Sequence, residues 1–314
     1  AAMQTKILVP EMVRFGYSKE FSAAVTAASS LITPIIPPGI GLIVYGFIAN
    51  VSIGKMFMAG IIPGILMCVA QMMAVHVVSK KRGYRPTREK RASLREVFVA
   101  FKDAAWALTL VIVIIGGIRA GVFTPTEAGA IAVAYTVIIG AFVYRDLKAK
   151  DIYKAIVEAV QSTGSIMLII MAASAFAWVL TWEGVTHNIT KLVVGITPNP
   201  YVFLLVINIF LLILGMFVEG SSAMIILIPL LLPTVKALGI DLIHFGIILI
   251  LNLAIGTLTP PMGTILFVTS SLTGAKIDQM VRELVPFYIV LLISLFLVTY
   301  VPAISLFLPN LLFR

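Results

Sequence analysis

Long apolar runs, interrupted at a few polar or proline-rich points, organise this chain. Residues 1–15 read as a short helical piece ending at Arg14, and residues 20–50 as a helix broken at Ile36-Pro37-Pro38-Gly39-Ile40-Gly41. Residues 52–79 predict a short amphipathic start, then a spanning helix from about Ala59 to Val78. From Thr87, the positions Leu94, Val97, Phe98 and Phe101 recur at helical spacing within a basic segment, 80–103. That pattern predicts a helix lying on the membrane surface. Spans follow at 104–120, 125–144 and 156–182, then a second surface-lying helix at 184–197. The run 201–238 is apolar except for Glu219-Gly220-Ser221-Ser222 near its middle. A second broken helix is predicted at 244–274, interrupted by Gly256-Thr257-Leu258-Thr259-Pro260-Pro261-Met262-Gly263, and a last span at 284–305.

Composition agrees with this pattern. The chain is 60% hydrophobic and only 12% charged, with a mean hydropathy of +1.08, which places it in a lipid bilayer. A single cysteine, Cys68, excludes a disulfide framework or a thiolate metal site. The net charge of +9 does not point to nucleic acid, because the basic residues cluster at helix ends. No cleavable signal peptide is visible, and the opening residues 1–10 read as the interior of a longer protein.

The lysines and arginines give a topology. With 80–103 taken as cytoplasmic, 201–238 becomes a hairpin entering and leaving on the outer side, its tip at Glu219–Ser222. This threading puts seventeen basic residues inside and five outside, as the positive-inside rule asks. Two full spans, 201–218 and 221–237, are the alternative, at the short limit of length for spanning.

An internal repeat appears when the chain is shifted by 223 residues. Pro10 falls on Pro233, Gly16 on Gly239, Pro37 on Pro260, Pro38 on Pro261 and Pro63 on Pro286. The topology gives the two copies opposite directions, so the repeat is inverted, as in many secondary transporters. Residue 1 then corresponds to Met224, so the first copy's opening arm and tip are expected upstream of this sequence.

A helix broken within the membrane is tolerated only where it lines a cavity or site. The first half ends in free carbonyls, around Ser29–Ile36 and Ala254–Thr259, which suit a cation. The second half opens with free amides, around Gly39–Gly41 and Met262–Thr264, which suit an anionic head group. Candidate Na+ ligands are Ser29, Ser30 and Thr33 in one copy and Gly220, Ser221, Ser222, Gly256, Thr257 and Thr259 in the other, with Asn252 nearby. Such neutral oxygens fit Na+ better than a transition metal. Candidate substrate residues are Pro37, Pro38, Gly39, Gly41, Pro260, Pro261, Met262, Gly263 and Glu219. Serine and glycine in such helices also serve close packing, and Glu219 could simply bond backbone at the tip. Thr124-Pro125-Thr126-Glu127 fits a capping box. His76, His187 and His244 are expected at interfaces. No Walker motif, HExxH or nucleophile elbow occurs, so the sequence does not read as an enzyme.

Five stretches carry a resemblance: GYSKEFSAAVTAASSLITPIIPPGIGLIVYG, SIGKMFMAGIIPGIL, GGIRAGVFTPTEAGAIA, GMFVEGSSAMIILIPLLLP and HFGIILILNLAIGTLTPPMGTILFV. Together they resemble the large membrane subunit of the TRAP (tripartite ATP-independent periplasmic) transporters, somewhat more its sialic-acid members. The resemblance implies an all-α polytopic inner-membrane protein, an inverted-repeat elevator-type transporter with re-entrant hairpins and broken helices. It implies Na+-coupled import of an organic acid, a sugar acid such as sialic acid or a C4-dicarboxylate. It implies a small membrane subunit, separate or fused, and a periplasmic substrate-binding protein. A proton-coupled carboxylate permease of related fold, with Glu219 titrating, is the alternative. The expected division is 1–79 as the first repeat half, 80–200 as surface helix, scaffold spans and outer arm helix, and 201–314 as the second repeat half.

Overall fold

The computed structural model describes all residues except 85–91, 197 and 314. The regular structure among the described residues is all helical: α1 (Ala2–Arg14), α2 (Lys19–Ser29), α3 (Ile40–Ile48), α4 (Ile53–Lys81), α5 (Leu94–Arg119), α6 (Pro125–Ile138), α7 (Ala149–Trp182), α8 (Val185–Ile196), α9 (Pro200–Phe217), α10 (Gly220–Ala237), α11 (Leu242–Leu258), α12 (Thr264–Thr273), α13 (Ile277–Tyr300) and α14 (Ala303–Leu312). A 3₁₀ turn, Ser30–Ile32, continues α2, and a π turn, Ile139–Val143, continues α6. Among the described residues, seven helices are long and apolar enough to cross a membrane.

Polar side chains fix where these helices begin. Ser18, Ser52, Asn199, Glu219 and Asp241 each accept a backbone amide at a helix start. Those amides have no partner inside the helix, so each such cap stabilises by about 1 kcal/mol. Thr124 and Glu127 form the expected capping box, and Ser93 with Glu96 forms another.

These caps explain where the elements differ from expectation. Ser93 starts a helix that runs unbroken to Arg119, so residues 94–103 are the first turns of α5 and not a separate surface helix. No glycine or proline divides the two stretches, and the amphipathic spacing simply continues into the apolar run. The part of that predicted helix at residues 87–91 lies outside the described residues. Ser52 likewise starts α4, which is a single helix of 29 residues with no distinct amphipathic piece. α7 begins at Ala149, because the Lys148 amide donates to Asp151, seven residues before the apolar run that predicted it. The last span starts at Ile277 and stops at Tyr300, just before Pro302, and a further helix, α14, follows it.

The chain divides into two compact units: Ala1–Thr87 with Phe176–Leu312, and Arg88–Ala175. Within the second unit, α5 and α6 pair. Tyr135 donates to the Trp106 carbonyl at 2.7 Å, and the Phe123 ring sits where a Cβ on Gly117 would stand. Both helices are apolar and carry many exposed large side chains.

The first unit contains the repeat. Arg14 ends α1 and Ala237 ends α10; Lys19 opens α2 and Leu242 opens α11, both pairs at the shift of 223. The later starts, Ile40 with Thr264 and Ile53 with Ile277, agree to within one residue. Gly16 and Gly239, just past the first helix of each copy, have φ of +88° and +68°. That left-handed conformation closes a helix and favours glycine. Contacts between the copies are reciprocal. α1 packs on α12 and α10 on α3; α2 packs on α13 and α11 on α4. Such an exchange is what a two-fold relation between similar halves produces.

α11 is the core of this unit. Every residue from His244 to Gly256 is buried, the signature of a helix covered on all sides. α9 and α10 are both eighteen-residue helices, and both pack on α11 more than on each other. His244 is buried too, not interfacial. Its Nδ1 lies 2.7 Å from Ser305 Oγ and its Nε2 3.2 Å from the Thr299 carbonyl.

Candidate substrate and cation site

The two proline breaks are real gaps in helical structure. α2 and its 3₁₀ turn stop at Ile32 and α3 resumes at Ile40; α11 stops at Leu258 and α12 resumes at Thr264. Both Pro37-Pro38 and Pro260-Pro261 peptides are cis. Glycines allow the first break to pack tightly. A Cβ on Gly60 of α4 would run into the Ile35 carbonyl, and one on Gly64 would stand 2.5 Å from the Ile36 side chain.

The resumed helices begin without a side-chain cap. Gly39 and Gly263 are their N-caps, and neither offers a side-chain acceptor. The first amides of α3 and α12 are therefore left to other partners, at the positive end of a helix dipole. Gly39 and Gly41 are buried, while Pro38 and Ile40 are exposed. Gly263 is buried, while Pro261, Met262 and Thr264 are exposed and Pro260 is half-buried. Each break thus alternates exposed residues with buried ones, Pro37 among the latter, at the helix start.

The ends of the preceding helices carry the predicted hydroxyls. Ser29 donates to the Thr26 carbonyl and Ser30 to that of Ala27. Thr257 donates to Ala254 and Thr259 to Ile255, at 2.6 and 2.9 Å. A hydroxyl that spends its proton on a backbone carbonyl keeps its oxygen lone pairs for a cation. Thr33 is exposed, and its amide donates to the Ser30 carbonyl. The two hydroxyl sets stand at the ends of different helices, α2 and α11, so they define two places and not one.

The polar tip lies against the second of these ends. A Cβ on Gly256 would stand 2.6 Å from the Gly215 backbone, so α9 and α11 touch main chain to main chain there. Gly220, the first residue of α10, approaches the Leu253 side chain. Glu219 caps α10: its carboxylate accepts the amides of Ser221 and Ser222, at 3.0 and 2.9 Å, and the Ser222 hydroxyl at 3.2 Å. Of the two roles weighed for Glu219, the structure displays backbone capping. Gly41 of the first break meets Met224 of α10 and Ile250 of α11, at Cβ distances of 3.4 and 3.7 Å. The start of α3 therefore abuts the other copy's arm and broken helix.

Tyr288, Tyr45 and Asn208 emerge only from the packing, whereas Asn252 is already a candidate oxygen ligand in the sequence. Tyr288 of α13 donates to the Leu258 carbonyl at 2.8 Å, satisfying one of the acceptors at the end of α11. Tyr45 of α3 donates to the Leu242 carbonyl at the other end of α11. Asn252 donates to Asn208 Oδ1 at 2.7 Å, and Asn208 donates to Thr299, which ties α9, α11 and α13 together. The repeat does not reveal Tyr288, because the matching position in the first copy is Ile65. Tyr288→Phe is expected to lower the unfolding free energy of the purified protein by about 1 kcal/mol, read by chemical denaturation, with its expression preserved.

The fold and the site define a class: a multi-pass helical membrane protein built from two similar halves, each interrupted at a proline pair. The family described as Tripartite ATP-independent periplasmic transporter, DctM component, matches residues 1–304, and the chain belongs to it. Family and helices together identify a multi-pass protein of the inner membrane. Among relatives, the isethionate TRAP transporter permease protein DctMQ of Oleidesulfovibrio alaskensis is 42% identical over 301 residues, 96% of this chain and 47% of that protein. The C4-dicarboxylate TRAP transporter large permease protein DctM of Pseudomonas aeruginosa is 41% identical over 304 residues, 97% of this chain and 71% of that protein. The sialic acid TRAP transporter permease protein SiaT of Haemophilus influenzae is 39% identical over 297 residues, 95% of this chain and 48% of that protein. The chain thus spans about half the length of the first and third of these relatives, and all three are named as permeases, not enzymes.

Proposed function

We propose that this chain forms the transport core of a Na+-driven importer of a small organic anion. The observation that carries the proposal is the pairing at the second break, where the polar tip of α10 meets the carbonyl-rich end of α11 beside the uncapped start of α12. Na+ is held by Ser221, Ser222, Thr257 and Thr259 with nearby carbonyls, and a second ion by the Ser29–Thr33 end. The fit rests on hard neutral oxygens, several of them hydroxyls with free lone pairs. Cation binding orders the tip and screens the negative end of α11. The anionic head group then rests on the uncapped amides at Gly39–Gly41 and Met262–Thr264, beside Pro37, Pro38, Pro260 and Pro261.

The named substrates of the relatives support an anion rather than one particular acid. Isethionate carries a sulfonate, whereas C4-dicarboxylates and sialic acid carry carboxylates. Helix-start amides donate equally to either group. In this reading α9 and α10 are a re-entrant hairpin, and the loaded first unit moves across the bilayer as an elevator. A small permease subunit, separate or fused as the joint name DctMQ favours, covers apolar flanks of α5 and α6. A periplasmic binding protein delivers the substrate. Uptake of isethionate, succinate and sialic acid into proteoliposomes, with the cognate binding protein present, tests the substrate class. Uptake of at least one of them supports the proposal, and uptake of neutral sugars alone overturns it.

The proton-coupled alternative assigns Glu219 a titrating role. Its carboxylate is instead fully engaged as an acceptor at a helix start; protonation would turn one acceptor oxygen into a donor and weaken the cap. Glu219→Gln is therefore expected to keep Na+-driven uptake while lowering stability by about 1 kcal/mol. Uptake driven by a pH gradient without Na+, and abolished in Glu219→Gln, would favour the alternative.

A further inference from the structure

A groove of about 730 Å³ runs between α4 and α13, away from both breaks. Its walls are apolar over most of its length: Ala74 and Val77 on α4, Pro286 and Val290 on α13. Small side chains at Ala74 and Pro286 leave the space between the two helices unfilled. One end changes character. Lys81 and Arg82, at the end of α4, line it, and Lys80 precedes them.

Arg82 is held in place there. Its guanidinium pairs with Glu283 of α13 at 2.7 Å and lies 5.4 Å from the centre of the Phe21 ring. Glu283 and the Tyr84 hydroxyl together cannot use all five guanidinium donors, so N–H groups remain for another acceptor. Lys80, Lys81 and Arg82 against Glu283 leave this end with an excess of positive charge.

We infer that this groove binds one anionic glycerophospholipid, with its phosphate on Lys81 and Arg82 and an acyl chain between α4 and α13. Charge complementarity selects the occupant. Basic pockets between membrane helices hold anionic head groups, and each Lys or Arg near the bilayer surface adds to the attraction. A free phosphate would use the basic end and leave the apolar length empty. A helix of another protein would use the apolar length and gain nothing from the lysines. The lipid satisfies both ends, and it would brace α4 against α13, its counterpart in the other repeat half.

The test uses the intact permease with its partner subunits, exchanged into detergent and titrated with phosphatidylglycerol or phosphatidylcholine under native mass spectrometry. One phosphatidylglycerol is expected to be retained in preference to phosphatidylcholine, and Lys81→Gln to weaken it about fivefold. Val77→Trp, which fills the groove from an exposed position, is expected to displace it. Equal retention of the two lipids, unchanged by Lys81→Gln, would overturn the inference. So would a photoreactive benzoylphenylalanine at Ile289 that captures a polypeptide and no lipid. Inorganic phosphate that competes the lipid away at millimolar concentration would assign the basic end to a free anion instead.

Discussion

Gly256→Ala will reduce uptake at least tenfold and lower the thermal stability of the purified permease. A Cβ at this position stands 2.6 Å from the Cα and carbonyl carbon of Gly215. Both are main-chain atoms of a neighbouring helix, so no side chain can rotate out of the way. Relief must come from moving α9 away from α11, and overpacking of this kind costs about 1–3 kcal/mol. The shift also carries the Glu219–Ser222 tip off the end of α11, which is why transport suffers more than folding. Gly116→Ala is the control. It lies in α5 with nothing within 4 Å of the added Cβ, and alanine favours helix by about 1 kcal/mol over glycine. Stability there should hold or rise. Equal losses in the two variants, read by thermal shift and uptake, would show that the Gly215–Gly256 contact has no special part.

Ser222→Ala and Thr259→Ala will each raise the Na+ concentration needed for half-maximal uptake by about tenfold, with substrate saturation measured at high Na+ little changed. Each removes one neutral oxygen from the proposed cation site. Neither is a structural keystone: Thr259 donates to the carbonyl of its own helix, and the Ser222 hydroxyl duplicates a bond that its amide already makes to Glu219. Tenfold corresponds to about 1.4 kcal/mol, within the range for one hydrogen-bonding or coordinating group. Unchanged Na+ dependence in both variants would remove these two residues from the site.

Much of the fold was legible because it is written locally. Apolar runs give the spans, Pro37-Pro38 and Pro260-Pro261 give the breaks, and Thr124 with Glu127 gives a cap read correctly from four residues. The repeat was legible from prolines alone, and the starts of α2, α3 and α4 recur in α11, α12 and α13 to within a residue. The misread starts of α5 and α7 share one cause. The sequence reading placed those starts by hydrophobicity, whereas the polar caps at Ser93 and Asp151 place them several residues earlier. What stayed hidden depends on helices distant in sequence. Tyr288 reaches Leu258 across 30 positions, Asn252 reaches Asn208 across 44, and Asn208 reaches Thr299 across 91. His244 looked interfacial because a lone histidine near a helix start usually is. Ser305 and the Thr299 carbonyl, 61 and 55 positions further along the chain, give it buried partners.

The candidate site was legible as a set of residue types but not as an assembly. Serines, threonines and glycines at the breaks announce oxygen ligands and free amides. They do not announce that Gly215 and Gly256 bring the tip to the end of α11, or that Gly41 brings α3 against Met224 and Ile250. The first approach assembles the second half of the repeat, and the second brings the other half against it.

The most direct measurement is uptake of a small organic anion into proteoliposomes containing the intact transporter, under an imposed Na+ gradient at equal pH on both sides. Inward Na+ is predicted to drive accumulation above the external concentration, and replacing Na+ with choline is predicted to stop it. Accumulation that persists in choline, or that follows a proton gradient instead, would contradict Na+ coupling at these broken helices.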